Sequence, residues 1–233
     1  MVSIEHNQLL KKREELVNNL SKNRVIYSKE VETAFLKVKR EEFIDNKDKN
    51  EAYSDTPLQL GTTRQTISAP HMIAIMLENL NLCNGMKVLE IGSGSGYNAA
   101  LMSEIMRSQS KNKEDSQIIT VERIDSLGKF ASNNLKREGY NDVKVVISDG
   151  SLGYPEKSEK CIYDRIIVTA AAPYVPKYLK IQLKINGILL IPVGNKNEQD
   201  LQKITKKNDG SFSIEILCGC RFVPLIGESG NKD

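Results

Sequence analysis

Lys87-Val88-Leu89-Glu90-Ile91-Gly92-Ser93-Gly94-Ser95-Gly96-Tyr97-Asn98-Ala99-Ala100-Leu101-Met102 is the stretch on which the reading of this chain turns. A short apolar strand ends at Ile91, glycine takes every second position through a turn, and an apolar helical run begins near Tyr97. Glycines let a backbone approach a ligand with no Cβ in between, and the first amides of a helix are free to donate hydrogen bonds. Open α/β sheets bind their ligands at this kind of place, outside the carboxyl end of a strand. A tight turn without a ligand has the same local signature, so the decision rests on what surrounds it.

Downstream, residues 117–123 read as a second strand with Glu122 near its carboxyl end, 30 positions after Gly92. An acid so placed can accept both hydroxyls of a ribose; the usual interval is about 20 residues, and the polar run 107–116 accounts for the excess. A helix follows over 127–135, then a third strand over 143–147 that ends in Ser148-Asp149-Gly150. Asp149 can accept from an exocyclic amine or cap the next element. A fourth strand over 164–172, a helix over 177–183, a turn at Asn186-Gly187 and a fifth strand over 188–193 complete the alternation. Strands alternating with helices from Val88 to Val193 predict a mostly parallel sheet with helices on both faces. Residues 201–204, 212–217 and 221–227 are expected as antiparallel additions at its far edge.

The first third reads as helical. Leu9, Leu10, Leu16, Val17 and Leu20 give an amphipathic helix over 8–20, and a second helix starts after Ser28 and reaches a boundary near Phe43. Residues 45–51 are expected as loop. Thr66-Ile67-Ser68-Ala69-Pro70-His71-Met72 then leads into a helix from Pro70 to about Leu80. Proline suits the first helical turn, with Ser68 or Ala69 at its edge. A serine there can cap the helix, and it can also present a hydroxyl and free amides to a carboxylate.

The 233 residues are 39% hydrophobic and carry 33 Lys plus Arg against 30 Asp plus Glu, a net charge of +3 that is too balanced to argue for nucleic acid. No apolar run approaches the ~20 residues that cross a bilayer, so no membrane is expected as a partner. Residues 1–13 lack the apolar centre of a signal peptide, which points to cytoplasmic residence. Of the four cysteines only Cys218-Gly219-Cys220 is closely spaced, as on one face of a strand. No second pair or nearby histidine completes a zinc site; reduced thiols and no metal are expected.

A glycine-rich turn with a ribose acid first suggests a nicotinamide or flavin dinucleotide, but no second mononucleotide half is present. A Walker phosphate loop is excluded, because no Gly-Lys-Ser or Gly-Lys-Thr follows. The pattern E-x-G-x-G-x-G beginning at Glu90 resembles motif I of the S-adenosylmethionine-dependent methyltransferases. With the hydroxyl-rich stretch included, the chain resembles the protein-L-isoaspartate (D-aspartate) O-methyltransferase family over nearly its whole length. The matching runs are 55–57, 65–72, 88–100, 121–124, 148–155 and 163–173, continued by 192–194 and 222–225. Motif I is widely shared among methyltransferases, whereas the 66–72 run is far more specific.

The resemblance implies a Rossmann-like S-adenosylmethionine-dependent methyltransferase fold in a single domain, 1–233. Within it, 1–80 would form an N-terminal helical and substrate-side segment, 81–194 the cofactor-binding core, and 195–233 the C-terminal strands and cleft edge. It implies S-adenosyl-L-methionine as cofactor, held by Glu90, Gly92, Ser93 and Gly94 on the methionyl and ribose side, by Glu122 at the ribose hydroxyls, and by Asp149 and Gly150 beside the adenine. Ser68 matches the family's active-site hydroxyl. Thr66, Ile67, Ala170, Ala171, Pro173, Val223 and Pro224 would border the acceptor, and His71 is not needed as a base. The expected partners are isoaspartyl peptides and damaged, flexible protein segments, whose methyl ester then closes to a succinimide and hydrolyses in part to a normal aspartyl linkage. The sequence leaves the oligomeric state open and is compatible with a monomer.

Two departures from the family pattern stand out: the link between Gly61 and Thr66 is one residue longer, and the charged link 157–161 is longer too. Another acceptor for the methyl group, a non-catalytic S-adenosylmethionine-binding protein and, more weakly, a dehydrogenase stay open as alternatives.

Overall fold

The structure is a computed structural model that describes residues 2–109 and 116–232, with side chains described from residue 7 onward at the amino end. Residues 110–115 of the polar run read at 107–116 therefore lie outside the described residues. The chain begins with two helices, α1 (Val2–Lys22) and α2 (Lys29–Lys37), followed by 3-10 turns at Arg40–Phe43 and Asn46–Glu51. A small hairpin of β1 (Leu58–Gln59) and β2 (Thr66–Ile67) precedes α3 (Pro70–Leu80). The alternating core is β3 (Lys87–Ile91), α4 (Tyr97–Ser108), β4 (Gln117–Glu122), α5 (Asp125–Arg137), β5 (Val143–Ile147), β6 (Tyr163–Val168), α6 (Lys177–Gln182) and β7 (Leu183–Gly194). Two further strands, β8 (Gln199–Lys206) and β9 (Phe212–Cys220), end the regular structure.

The seven-stranded sheet has the order β5-β4-β3-β6-β7-β8-β9; β5 to β7 pair in parallel, and β8 and β9 are antiparallel additions. The chain leaves β3 in one direction through β4 and β5, then returns to add β6 on its other side, so the order reverses between β3 and β6. Neighbouring crossover connections depart in opposite directions there, and a crevice opens at the strand ends.

Period-two side chains split the sheet into two cores. Val88, Ile118, Ile167, Ile188 and Leu190 pack with α1 to α5 through residues such as Phe35, Leu77, Leu101 and Leu135. Leu89, Ile91, Ile119, Val121, Ile166 and Val168 face the other way, onto Leu179 of α6 and Leu225. Among the described residues, helices thus cover both faces unequally, with five on one side and only the six-residue α6 on the other. Buried Glu78 fastens the outer layer, accepting the backbone amides of Tyr27 at 2.8 Å and Ser28 at 2.9 Å.

Four sequence expectations are corrected. Residues 45–51 contain a 3-10 turn, and the second helix stops at Lys37, short of Phe43, with a separate 3-10 turn at Arg40–Phe43. Asn186-Gly187 does not break the chain: β7 runs through it, with Asn186 at φ 61°, and the insert is absorbed as a bulge between the pairs Tyr163 with Leu183 and Arg165 with Ile188. Residues 221–227 add no antiparallel strand. They leave the sheet edge and cross back to make isolated parallel bridges, Ala171 with Pro224 and Ile226 with Asn231. Cys218 and Cys220 lie on β9 opposite Leu201 and Gln199, and all four cysteines are free thiols.

Candidate active site

The glycine turn leaves β3 at the point where the sheet order reverses, and its neighbours clamp it from both sides. Gly92 donates its amide to Val121 at the end of β4 (2.8 Å), while Thr169, just past β6, donates its amide to Ile91 (2.9 Å). The Thr169 hydroxyl lies 2.8 Å from the carbonyl oxygen of Gly92 and 3.1 Å from that of Ile91. Gly92 has φ +97°, and a Cβ there would stand 2.4 Å from Thr169 Oγ1. Both its conformation and its surroundings demand glycine.

Two acids support this turn in different ways. Glu122, 8% exposed, faces the cleft and accepts the amides of Gly94 (3.1 Å) and Ile124 (3.0 Å). A carboxylate has about four lone-pair sites, so acceptor capacity is left for a ligand's hydroxyls. Glu90 is fully buried beneath the turn, accepting Asn98 Nδ2 at 2.7 Å and the Thr120 hydroxyl at 2.5 Å; Thr120 in turn meets Ser93 Oγ at 2.6 Å. Burial pushes the Glu90 carboxyl up to about 7, against the pull of its hydrogen bonds to Thr120 and Asn98.

The opposite wall is built by three segments distant in sequence: the hairpin that carries Ser68, Thr169 with Ala170 just past β6, and the returning stretch after β9. Leu58 pairs with Ile67 and Gln59 with Thr66 in the β1/β2 hairpin, which delivers Ser68 to the cleft just before α3. The Gly61-to-Thr66 link falls at the tip of this hairpin. Leu60 donates to the carbonyl of Gln65 (2.9 Å), Gly61, Thr62 and Arg64 are exposed, and Thr66 and Ile67 pair with Gln59 and Leu58. The third segment is the returning stretch of Val223, Pro224, Leu225 and Ile226, tied to Ala171 by its amide to the Val223 carbonyl (2.7 Å) and by the Leu225 amide to the Ala171 carbonyl (2.8 Å). These walls line one cleft that is partly open to solvent.

A family description, protein-L-isoaspartate(D-aspartate) O-methyltransferase, matches residues 11–230. The chain belongs to this family. It is 48% identical over 222 residues to the protein-L-isoaspartate O-methyltransferase of Methanopyrus kandleri, covering 95% of this chain and 94% of that one. The relative from Pyrococcus horikoshii is 46% identical, with 99% and 100% covered. Among solved structures, a protein-L-isoaspartate O-methyltransferase from Plasmodium falciparum in complex with S-adenosyl-L-homocysteine superposes with TM-score 0.81 at 31% identity, covering 92% of this chain and 98% of that chain.

The family's cofactor, S-adenosyl-L-methionine, is compatible with these residues. The cradle at Gly92 admits no side chain, and Glu122 keeps acceptor capacity at the end of β4. Among the described residues, no three or more His, Cys, Asp or Glu cluster as a metal site would require, and no helix is long and apolar enough to cross a membrane.

The cleft brings together Thr66, Ile67, Ser68, Gly92, Ser93, Gly94, Glu122, Gly150, Ala170, Val223 and Pro224. Four residues singled out from the sequence lie outside its lining. Glu90 is sequestered below the turn. Ala171 contributes backbone hydrogen bonds behind the wall, and Pro173 is exposed. Asp149 caps the 3-10 turn Gly150–Leu152, accepting Ser151 N at 2.9 Å, and its other oxygen accepts Glu228 N at 2.8 Å. It thereby holds the end of the returning stretch, and a Cβ on Gly227 would stand 2.2 Å from Asp149 Oδ1.

Sequence reasoning missed Thr169, Tyr97 and Asn98 as cleft residues. Tyr97 and Asn98 begin α4 directly after the glycines, and that adjacency was the available signal.

Proposed function

We propose that this chain transfers a methyl group from S-adenosyl-L-methionine to the free α-carboxylate of L-isoaspartyl residues in damaged proteins and peptides, with D-aspartyl residues as further acceptors. The observation that carries this reading is the meeting, in one cleft, of the glycine turn with Glu122, the Ser68 segment and the returning 223–226 wall. When bound, S-adenosyl-L-methionine supplies a methyl group made electrophilic by its sulfonium. Glu122, Gly92, Ser93, Gly94 and Gly150 serve it directly in this reading, with Glu90 acting through Asn98, Thr120 and Ser93, and Asp149 through the 150–152 turn.

The acceptor chemistry agrees with what the cleft offers. A carboxyl group that titrates at about 3.5 to 4 is already ionised at neutral pH and needs no base to become a nucleophile. The charged side chains lining the cleft are Glu122 and Arg123, and Glu122 already holds two backbone amides. What the chain supplies is orientation, which in favourable intramolecular reactions is worth ~7 kcal/mol or more. Ser68 donates to the acceptor carboxylate and fixes its direction. Thr66, Ile67, Ala170, Ala171, Pro173, Val223 and Pro224 border an extended peptide, which flexible segments provide most readily.

The same reading gives residues 1–80 the substrate side, 81–194 the cofactor core and 195–233 the cleft edge. It puts the protein in the cytoplasm, in keeping with four free thiols. Methyl transfer from labelled S-adenosyl-L-methionine to matched peptides, differing only in one isoaspartyl or aspartyl linkage, tests it. Labelling of the isoaspartyl peptide alone is expected; no transfer to either peptide by a protein that binds the cofactor would overturn the substrate assignment.

A further inference from the structure

Arg40 opens the 3-10 turn after α2 and is 0% exposed. Its guanidinium donates from Nη2 to the backbone carbonyl of Ser68 at 2.9 Å and lies 5.2 Å from the centroid of the Tyr97 ring. Ser68 and Tyr97 both line the cleft, one on the hairpin side and the other at the start of the helix that follows the glycine turn. A single buried side chain therefore spans the back of the site and joins its two halves.

The charge on this side chain is met only at a distance, by Asp55 and by the ring of Tyr97. Among the described residues no carboxylate pairs with Arg40, and Nε and Nη1 are buried without a hydrogen-bond partner. The nearby acids are otherwise engaged: Glu41 accepts the hydroxyl of Tyr53, while Asp55 accepts both the amide (2.8 Å) and Nδ1 (2.9 Å) of His71. Burial lowers the Arg40 guanidinium to about 10, partly offset by Tyr97, Tyr53 and Asp55, so it stays protonated at neutral pH. An unpaired buried cation is strongly unfavourable in a protein interior, and its field extends far where little water screens it. The fold retains one directly behind the residues that face the acceptor.

We infer that Arg40 is a positioning residue which, through Ser68 and Tyr97, locks the acceptor segment to the cofactor turn and makes the cleft selective for an ionised carboxylate over a neutral group of the same shape. Arg40 acts from behind the wall and touches neither substrate nor cofactor. This inference rests on the proposed methyl transfer to isoaspartyl carboxylate. A wild-type protein that labels no isoaspartyl peptide would sink that reading, whereas the inference about Arg40 is decided by a comparison among variants of an active enzyme.

The comparison uses two peptides, one with an isoaspartyl α-carboxylate and one with the corresponding α-carboxamide, their binding being measured by fluorescence anisotropy in the presence of S-adenosyl-L-homocysteine. Wild type is expected to prefer the carboxylate. Arg40→Met keeps volume without charge and is expected to lose that preference by about tenfold or more, while binding S-adenosyl-L-homocysteine within about threefold of wild type. Arg40→Lys restores charge without the planar fork; it is expected to keep the carboxylate preference within about threefold while kcat falls by about tenfold. A folded Arg40→Met with the wild-type preference overturns the inference. Should Arg40→Met fail to fold, Arg40→Lys decides alone: loss of the preference, or an unchanged kcat, overturns it.

Discussion

The hydroxyl of Thr169 occupies the space that a side chain on Gly92 would need, 2.4 Å from the ideal Cβ position. Gly92→Ala combines this clash with a φ of +97° and is expected to destabilise the protein by about 2 to 4 kcal/mol, measured by urea unfolding. Adding Thr169→Ala removes the clash and leaves the backbone penalty. The double variant is therefore expected to recover part of the loss but not all of it.

Glu90 makes stability depend on pH in the direction opposite to a salt-bridged acid. Its carboxyl rises from 4.5 to about 7 on folding, so between those values the folded protein holds a proton that the unfolded chain has released. The contribution is fully present below pH 4.5 and is lost as pH rises through about 7, an effect on the order of ~3 kcal/mol at most. Glu90→Gln can still accept from Asn98 and can donate its amide to Thr120. Urea titrations without cofactor are expected to show it close to wild type at low pH, and more stable by about 1 to 3 kcal/mol above pH 8.

Removing the hydroxyl of Ser68 separates orientation from cofactor binding. Hydrogen bonds to a charged acceptor contribute about 1.5 to 3 kcal/mol, so Ser68→Ala is expected to lower kcat/KM for an isoaspartyl peptide by roughly 10- to 100-fold. Calorimetry should find S-adenosyl-L-homocysteine binding unchanged. Equal losses in both measurements would place the defect in the fold of the hairpin instead.

Asp149 links the 3-10 turn at Gly150–Leu152 to the returning chain through Ser151 and Glu228. Asp149→Ala is expected to speed hydrogen exchange at the amides of Glu228 and Ser229 and to weaken S-adenosyl-L-homocysteine binding by roughly tenfold, the cap alone being worth about 1 kcal/mol. Exchange at wild-type rates would show that this acid does not restrain the returning stretch.

The central elements were legible because local chemistry and burial agree on them. Residues 143–147 are a strand and 70–80 a helix just as the apolar patterns and Pro70 indicate, and Gly92 and Glu122 fall at neighbouring strand ends. The β1/β2 hairpin was not legible, because two-residue strands leave no period to detect. Asn186-Gly187 has strong turn chemistry, but the pairing of β7 with β6 on both sides of it prevails and leaves a bulge. In the site, Glu90 and Asp149 sit where acids were expected, yet neighbours such as Thr120 and Glu228 draw their carboxylates away from the cleft. Arg40 gave no local sign at all. An arginine in a run of charged residues reads as solvated, and only the approach of Ser68 and Tyr97 from elsewhere in the chain shows that it is buried.

The stretch 221–231 leaves the outermost strand, passes along the cleft as Val223 to Ile226, and is fastened at its end by Asp149, Ser151 and Ala171. Because ribosomes make proteins from the amino end, this wall is the last piece of the site to be synthesised, after the glycine turn and the Ser68 hairpin have had time to fold. A chain still being translated would carry half a cleft, with the glycine turn and the Ser68 hairpin in place and the wall of Val223 to Ile226 still to come.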